Sequence, residues 1–315
     1  MAGIDVGGTF TKSVLVLSSG EIALTRRNET AGAGGPAAHV DRIGALAGQL
    51  AAKAAGAGER LTALGVAVPG VVDEAAGVAR YSANLGWRDL DLGGELSERL
   101  GISVSIGHDV RLGALGEGVL GAARGVADFL YVPVGTGVAA AVVLDGHVRR
   151  GRHGTAGEVG HVALDESGPP CGCGRRGCLE AVASAAAIAR RYAERAGGDV
   201  DAAAVLARAS AGERVALEVW QTAVAALGAT LAHAQALLDV DLIVVGGGLA
   251  HAGDALLSPL ESEIAARLGW LPRPRLAVAA LGDQAACLGA ALRARAEGPP
   301  EAPGAPPERQ TGDPR

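Results

Sequence analysis

Three cysteines fall within eight residues, Cys171, Cys173 and Cys178, in a C-x-C-x4-C run. Thiolates with glycine spacers can wrap a tetrahedral ion at Zn–S distances of about 2.3 Å, and zinc prefers four ligands. His161, ten residues upstream in Glu158-Val159-Gly160-His161, can supply the fourth. Cys3His is a closed shell, which argues for a structural zinc; redox-active or inert buried thiols are the alternatives. A second set of residues suits phosphate. Asp5-Val6-Gly7-Gly8-Thr9 joins a carboxylate, two glycines and a hydroxyl on one tight turn. Glycine lets backbone N–H groups approach a phosphate, the Thr hydroxyl can donate to a phosphoryl oxygen, and Asp5 can hold Mg²⁺ directly or through water. Gly135-Thr136-Gly137 offers the same chemistry again, and Gly246-Gly247-Gly248 would lay bare backbone against a flat nucleoside. The first, taken alone, reads more often as just a turn, and the third reads equally as a flexible strand-to-helix connection. With no Gly-Lys-Ser/Thr after either turn, neither is a P-loop. Asp109, in Ile106-Gly107-His108-Asp109, can accept the proton of a hydroxyl nucleophile in phosphoryl transfer, or simply cap a helix starting near Val110.

The elements that must carry these residues alternate between strand and helix, the pattern of a layered α/β protein. Ala2 to Val6 is an apolar strand running into Gly7-Gly8-Thr9, and Ser13 to Leu17 returns to a turn at Ser19-Gly20. The pattern recurs at Phe129 to Val134, Gly135-Thr136-Gly137, Val138 to Leu144 and Asp145-Gly146. Two such hairpins suggest an internal duplication, with coincidence among many glycine turns as the alternative. Between them lie a helix over 36–56, a buried strand at Leu64 to Val68, a short helix at Leu92 to Leu100 and a strand at Ser103 to Ile106. Beyond them the chain turns mostly helical: Ser184 to Ala196, Asp201 to Ala209, and Glu213 to Leu238 with Leu217, Trp220, Val224, Leu227 and Leu231 on one stripe. Asp241 to Val245 and Leu276 to Ala280 are strands, followed by a helix from about Asp283 to Ala296. Gly298 to Arg315 is Pro-rich and polar, and a disordered tail is expected there.

Composition removes several classes. The charge is −6 from 28 basic and 34 acidic residues, with a pI of about 5.7, against the strongly basic surface of a nucleic-acid binder. Apolar residues make 49% and aromatics 3%, so the core must be aliphatic. Glycine, 49 of 315 residues, should mark turns and backbone-lined sites. No export signal opens the chain, and apolar runs such as Val138 to Leu144 fall short of a spanning length, so a cytoplasmic location is expected.

Taken in order, Asp5-x-Gly7-Gly8-Thr9, Val68-Pro69-Gly70, Asn84-Leu85-x-Trp87, Gly135-Thr136-Gly137, Glu158-x-x-His161 and Cys171-x-Cys173-Gly174-x-x-Gly177-Cys178-x-Glu180 resemble the ROK family of bacterial sugar kinases and sugar-responsive repressors over residues 2–296. The resemblance implies an actin-like, ribonuclease-H-like duplicated α/β fold with two lobes and an interlobe cleft. The matching division is a smaller lobe over 1–110, a larger lobe over 111–282, a helix over 283–297 returning to the small lobe, and the tail over 298–315. It implies an ATP-dependent hexose kinase acting on the 6-hydroxyl of glucose, with an N-acetylhexosamine kinase or a weakly catalytic sugar sensor as alternatives. Asp109 matches the catalytic base. Asn84, His108, Glu158, His161 and Glu180 fall at sugar-contacting positions, with His161 also serving zinc. ATP, with its Mg²⁺, is assigned to Asp5, Gly7, Gly8, Thr9, Lys12, Gly135, Thr136, Gly137, Gly246, Gly247 and Gly248. A homodimer or higher homo-oligomer is the common case. Family repressors carry a DNA-binding domain ahead of the first turn, whereas four residues precede Asp5 here. Two departures stand out. His108 takes the place of a sugar-contacting Asn in a segment that usually reads Glu-Asn-Asp-Ala-Asn. Ala139-Ala140-Ala141 follows the second turn where glycines are usual.

Overall fold

The computed structural model describes residues 1–30 and 35–297; the expected tail, 298–315, lies outside them. The first half builds a five-stranded sheet. Its strands β1 (Ala2–Val6), β2 (Phe10–Val16) and β3 (Ile22–Glu29) form an antiparallel meander. Helix α1 (Gly35–Gly56) leads to β4 (Ala63–Val68), which pairs parallel with β1. A small antiparallel sheet follows from β5 (Val71–Asp73), β6 (Val78–Ser82) and β7 (Trp87–Leu90). Helix α2 (Leu92–Leu100) then leads to β8 (Ser103–His108), parallel to β4, and α3 (Asp109–Leu120).

The second half repeats the plan. Strands β9 (Phe129–Pro133), β10 (Ala141–Leu144) and β11 (His147–Arg149) are antiparallel neighbours. The β10–β11 turn places Asp145 and Gly146 at φ 54° and 74°, the left-handed pair that a tight hairpin needs. Helices α4 (Leu179–Ala183), α5 (Ala185–Ala196), α6 (Ala202–Ser210) and α7 (Arg214–Leu238) precede β12 (Leu242–Gly246), parallel to β9. Helix α8 (Asp254–Leu268), β13 (Arg275–Val278) and α9 (Ala285–Glu297) complete the described fold. The two sheets have the orders β3-β2-β1-β4-β8 and β11-β10-β9-β12-β13. Strand for strand the topology is the same, so the duplication is real and the fold is the two-lobed actin-like one.

Several expectations need correction. The second strand starts at Phe10 rather than Ser13, and the strand after the second turn covers only 141–144, with a lone bridge joining Val134 and Val138. The last helix starts at Ala285, after a short turn of helix at Gly282–Gln284. Leu217, placed on the buried stripe of α7, is 38% exposed; Ala216 and Val219 turn inward instead. Helix α7 is also apolar enough to cross a membrane by length and composition, with mean hydropathy 1.4. Its inward face, from Trp220 through Leu231, packs into the main core of the second half, and an ordinary core helix passes the same test.

Helix α9 packs on β1, β4 and β8 of the first sheet and lies against α3. The approach is backbone to backbone. A Cβ on Gly65 of β4 would stand 1.9 Å from the Ala290 carbonyl oxygen, and one on Gly289 would stand 1.7 Å from that of Leu112. Gly65→Ala should therefore destabilise the protein by about 1–3 kcal/mol, the usual cost of overpacking a tight interior. Thermal unfolding checks this; an unchanged melting temperature would mean that α9 can slide off the sheet at little cost.

Candidate active site and metal centre

The β1–β2 register sets Lys12 opposite Asp5 at the mouth of the first glycine turn. Lys12 Nζ lies 3.7 Å from Asp5 Oδ2 and 3.9 Å from Asp283 Oδ2. Asp5 is buried, and desolvation together with the nearby Asp109 charge pushes its pKa up to about 7. The turn is closed by a hydrogen bond from Gly7 N to Phe10 O at 3.0 Å, while Gly8 and Thr9 are exposed. Gly8 adjoins Asn84, whose Cβ lies 3.6 Å from where a Gly8 Cβ would stand. Asn84 is itself exposed, directly ahead of Leu85 and Trp87, which are 6% and 1% exposed. Trp87 Nε1 donates to His39 Nδ1 at 3.0 Å, the partner that a buried indole requires.

Strand β8 delivers His108 and Asp109 to the same region. Asp109 is the first residue of α3, and its Oδ1 accepts from the adjacent Val110 N at 2.7 Å. A capping side chain sits one residue earlier and accepts from two or three residues on. The capping alternative therefore does not describe this carboxylate. About 30% of the Asp109 side chain remains open to water, yet desolvation by the surrounding protein lifts its pKa to about 6. His108 is nearly buried, with Nδ1 3.3 Å from Asp109 Oδ1 and Nε2 3.8 Å from Glu158 Oε1. Burial first, and the Arg111 charge second, lower its pKa to about 4, so the imidazole is neutral at physiological pH.

The β9–β12 register pairs Gly246 with Pro133, which sets the third glycine run beside the second turn. Val134 N donates to Gly246 O at 2.9 Å, and Leu249 N donates to Val134 O at 3.0 Å. Gly247 has φ 74°, and a Cβ there would meet the Val134 carbonyl oxygen at 2.5 Å. Glu180 belongs to this turn as well. Its Oε2 accepts from Val138 N at 3.1 Å and lies 2.5 Å from where a Gly137 Cβ would be. Of the alanines after the turn, Ala140 and Ala141 are buried in the core, while Ala139 is half-buried.

The four predicted metal ligands converge: one ligand atom from each of His161, Cys171, Cys173 and Cys178 lies within 4.8 Å of the others. Cys171 Sγ is 3.7 Å from His161 Nδ1, and Cys173 Sγ is 3.6 Å from Cys178 Sγ. A tetrahedron with arms of about 2.3 Å has edges of ~3.8 Å, so the donor set fits zinc in spacing as well as chemistry. Arg175 supports the site by donating to His161 O at 2.6 Å. Leu179 N donates to Val162 O at 3.0 Å, tying the start of α4, and with it Glu180, to the ligand segment.

Two structural acids were absent from the expectations. Glu74 is buried beside Asp109's neighbours: its Oε1 accepts from Arg111 Nε at 2.8 Å, and its Oε2 accepts from Arg293 NH1 at 2.5 Å. Glu117, fully buried on α3, accepts from the backbone N–H groups of Ala122, Ala280 and Leu281, fixing the segment that enters α9. A lone charge in the otherwise uncharged stretch 112–120 was the available signal for Glu117.

A family model described as ROK family matches residues 1–297. The chain is 34% identical to a glucokinase of Halalkalibacterium halodurans over 91% of this chain and 92% of that one. It is similar in structure to a ROK hexokinase from Thermus thermophilus, with a TM-score of 0.83 and 33% identity over 94% and 98% of the two chains. It is also similar to a ROK family glucokinase from Streptomyces griseus solved with glucose and AMPPNP, with a TM-score of 0.81 and 29% identity over 94% and 99%.

Proposed function

The chain belongs to the ROK family, and on that premise we propose that it is an ATP-dependent hexose kinase that transfers the γ-phosphoryl group to the 6-hydroxyl of glucose. The observation that carries the reading is Asp109, a carboxylate with pKa about 6 beside the Lys12–Asp5 pair. Phosphoryl transfer passes through a loose transition state, so catalysis rests on positioning and electrostatics. Asp109 Oδ1 is held by Val110 N, which leaves Oδ2 to accept the proton of the sugar hydroxyl. His108, neutral, stands beside Oδ1 at 3.3 Å without the positive charge that would weaken the base. Asn84, Glu158, His161 and Glu180 are the further sugar contacts of this reading. Lys12 and the backbone of Gly7, Gly8, Thr9, Gly135, Thr136 and Gly137 receive the phosphates, and Gly246, Gly247 and Gly248 the nucleoside. Asp5 would hold the Mg²⁺ that accompanies ATP, which would neutralise phosphate charge there.

Zinc at His161, Cys171, Cys173 and Cys178 supplies a fixed cross-link and no chemistry of its own. The division of labour is a small lobe over 1–110, a larger one over 111–282 and a helix over 283–297 returning to the first sheet. A cytoplasmic homodimer or higher homo-oligomer completes the proposal.

A coupled ADP-release assay across glucose, mannose, N-acetylglucosamine and N-acetylmannosamine tests it. Turnover highest on glucose is the expected result. Turnover confined to an N-acetylhexosamine would move the substrate, and sugar binding without turnover on any of them would make the chain a sensor. The base must be ionised, so kcat/KM should rise with pH through an apparent pKa near 6 and level off above it. A profile flat down to pH 4.5 would remove Asp109 from the role.

A further inference from the structure

Away from the glycine turns, the two halves enclose a cavity of about 500 Å³, within the range of small-molecule sites. Its polar lining is Glu74, Arg111, Arg150 and Arg293. None of these belongs to the sugar, ATP or zinc sets described above. One carboxylate faces three guanidinium groups, and Glu74 is the single acid among the described lining residues, so the cavity carries a local excess of two positive charges. The arginines are not equally committed. Arg111 Nε and Arg293 NH1 hold the two Glu74 oxygens at 2.8 and 2.5 Å. Arg150 reaches Glu74 only at 3.6 Å, with 53% of its side chain exposed, and can turn toward a ligand at little loss. Arg111 is 3% exposed; its NH1 donates to Gly154 O at 3.0 Å, while its NH2 is buried without a hydrogen-bond partner. Leu112, Leu115 and Val148 supply an apolar wall.

We propose that this cavity is a second, anion-binding site that takes a small phosphomonoester. The planar fork of arginine matches phosphate oxygens two at a time, and such charged hydrogen bonds are the strong ones. The leucine and valine wall suits the carbon skeleton of the same ligand, which a bare ion would leave unused. The elements around the cavity come from both halves: Glu74 follows β5, Arg150 follows β11, and Arg293 is on α9. An occupant there bridges them. Glu74 also accepts weakly from His108 N, at 3.4 Å, so the site adjoins the segment that carries Asp109.

The test is direct binding by calorimetry on the full chain, held in saturating glucose and a non-hydrolysable ATP analogue so that the cleft is filled. The probes are glycerol 3-phosphate, glucose 6-phosphate and inorganic phosphate, at fixed ionic strength. One site per chain is expected, with either ester binding more tightly than inorganic phosphate. Arg150→Gln should weaken it by about tenfold or more, the usual loss for a charge-assisted hydrogen bond, and Arg150→Glu should remove it. Basal kinase turnover should be unchanged in Arg150→Gln. Ester binding that survives Arg150→Glu, or absence of ester binding to the wild type, overturns the site. Inorganic phosphate binding as tightly as the esters would overturn the phosphomonoester assignment. Because the readout is binding, it stands apart from whether the chain phosphorylates glucose.

Discussion

Asp109→Asn should lower kcat by at least about 10²-fold while the sugar dissociation constant moves by less than about tenfold. The asymmetry follows from geometry. The amide keeps the shape and can still accept from Val110 N, now held at 2.7 Å, so the ground-state contacts survive. What is lost is the ability to take a proton, which matters only as the hydroxyl attacks. The same substitution should remove the acid limb of the pH profile. A mutant that phosphorylated sugar at near wild-type rate would show that positioning alone suffices, and that Asp109 is no base.

The same substitution has a stability signature of opposite sign. Asp109 binds its proton more tightly in the folded chain, at about 6 against 3.8, than in the unfolded one. Its contribution to stability is therefore fully present below the unfolded value and is lost as pH rises through about 6. Above that, the ionised carboxylate is a cost of roughly 1.4 kcal/mol per pKa unit. Water reaching 30% of the side chain trims the total to ~2 kcal/mol. Asp109→Asn should melt higher than the wild type at pH 8 and about equal to it at pH 4.5. A gain in stability at the expense of activity is the usual trade at a site built for function. Equal melting at both pH values would show that the carboxylate is better solvated than its surroundings indicate.

Features local in sequence were legible before the fold was known. The duplicated hairpins could be read because each strand-turn-strand repeats an apolar run and a glycine turn at similar spacing, and the Cys3His cluster because its three cysteines share one loop. The third glycine run could be seen as a connection, but only the β9–β12 register brings it to the second turn. The sheet of β5, β6 and β7 escaped because its strands are short and much of it is exposed. Helix α8 escaped although Leu256, Leu260, Ile264 and Leu268 repeat every four residues, since Pro259 breaks its helical look. The Glu74 cluster had no local signal: its arginines lie 37 and 219 residues away along the chain. Ion pairs of that kind are set by tertiary packing. The role of Glu180 shows the same limit, because its hydrogen bond to Val138 N spans 42 residues.

Cys173→Ser should strip the metal and raise the sugar KM by about tenfold or more. Elemental analysis of undenatured protein prepared without chelator should find one zinc per wild-type chain and almost none in the mutant. Cys173 is the informative ligand because it is exposed, whereas Cys178 is fully buried. Serine at 173 thus removes a thiolate without opening a cavity, and a change in sugar affinity cannot be blamed on lost packing. The coupling runs through the backbone. Cys178 is the residue before α4, and Glu180 lies in the first turn of that helix. Glu180 in turn accepts from Val138 N just after the second glycine turn. Releasing the thiolates frees this whole segment, along with His161, and groups that orient a site from behind its metal typically change affinity or activity by about 10–100-fold when lost. ATP affinity should weaken too, through Glu180. No metal in the wild-type protein would remove the zinc centre. Metal loss with unchanged sugar KM would confine zinc to holding the local fold, and the sugar contacts assigned to His161 and Glu180 would then need other support.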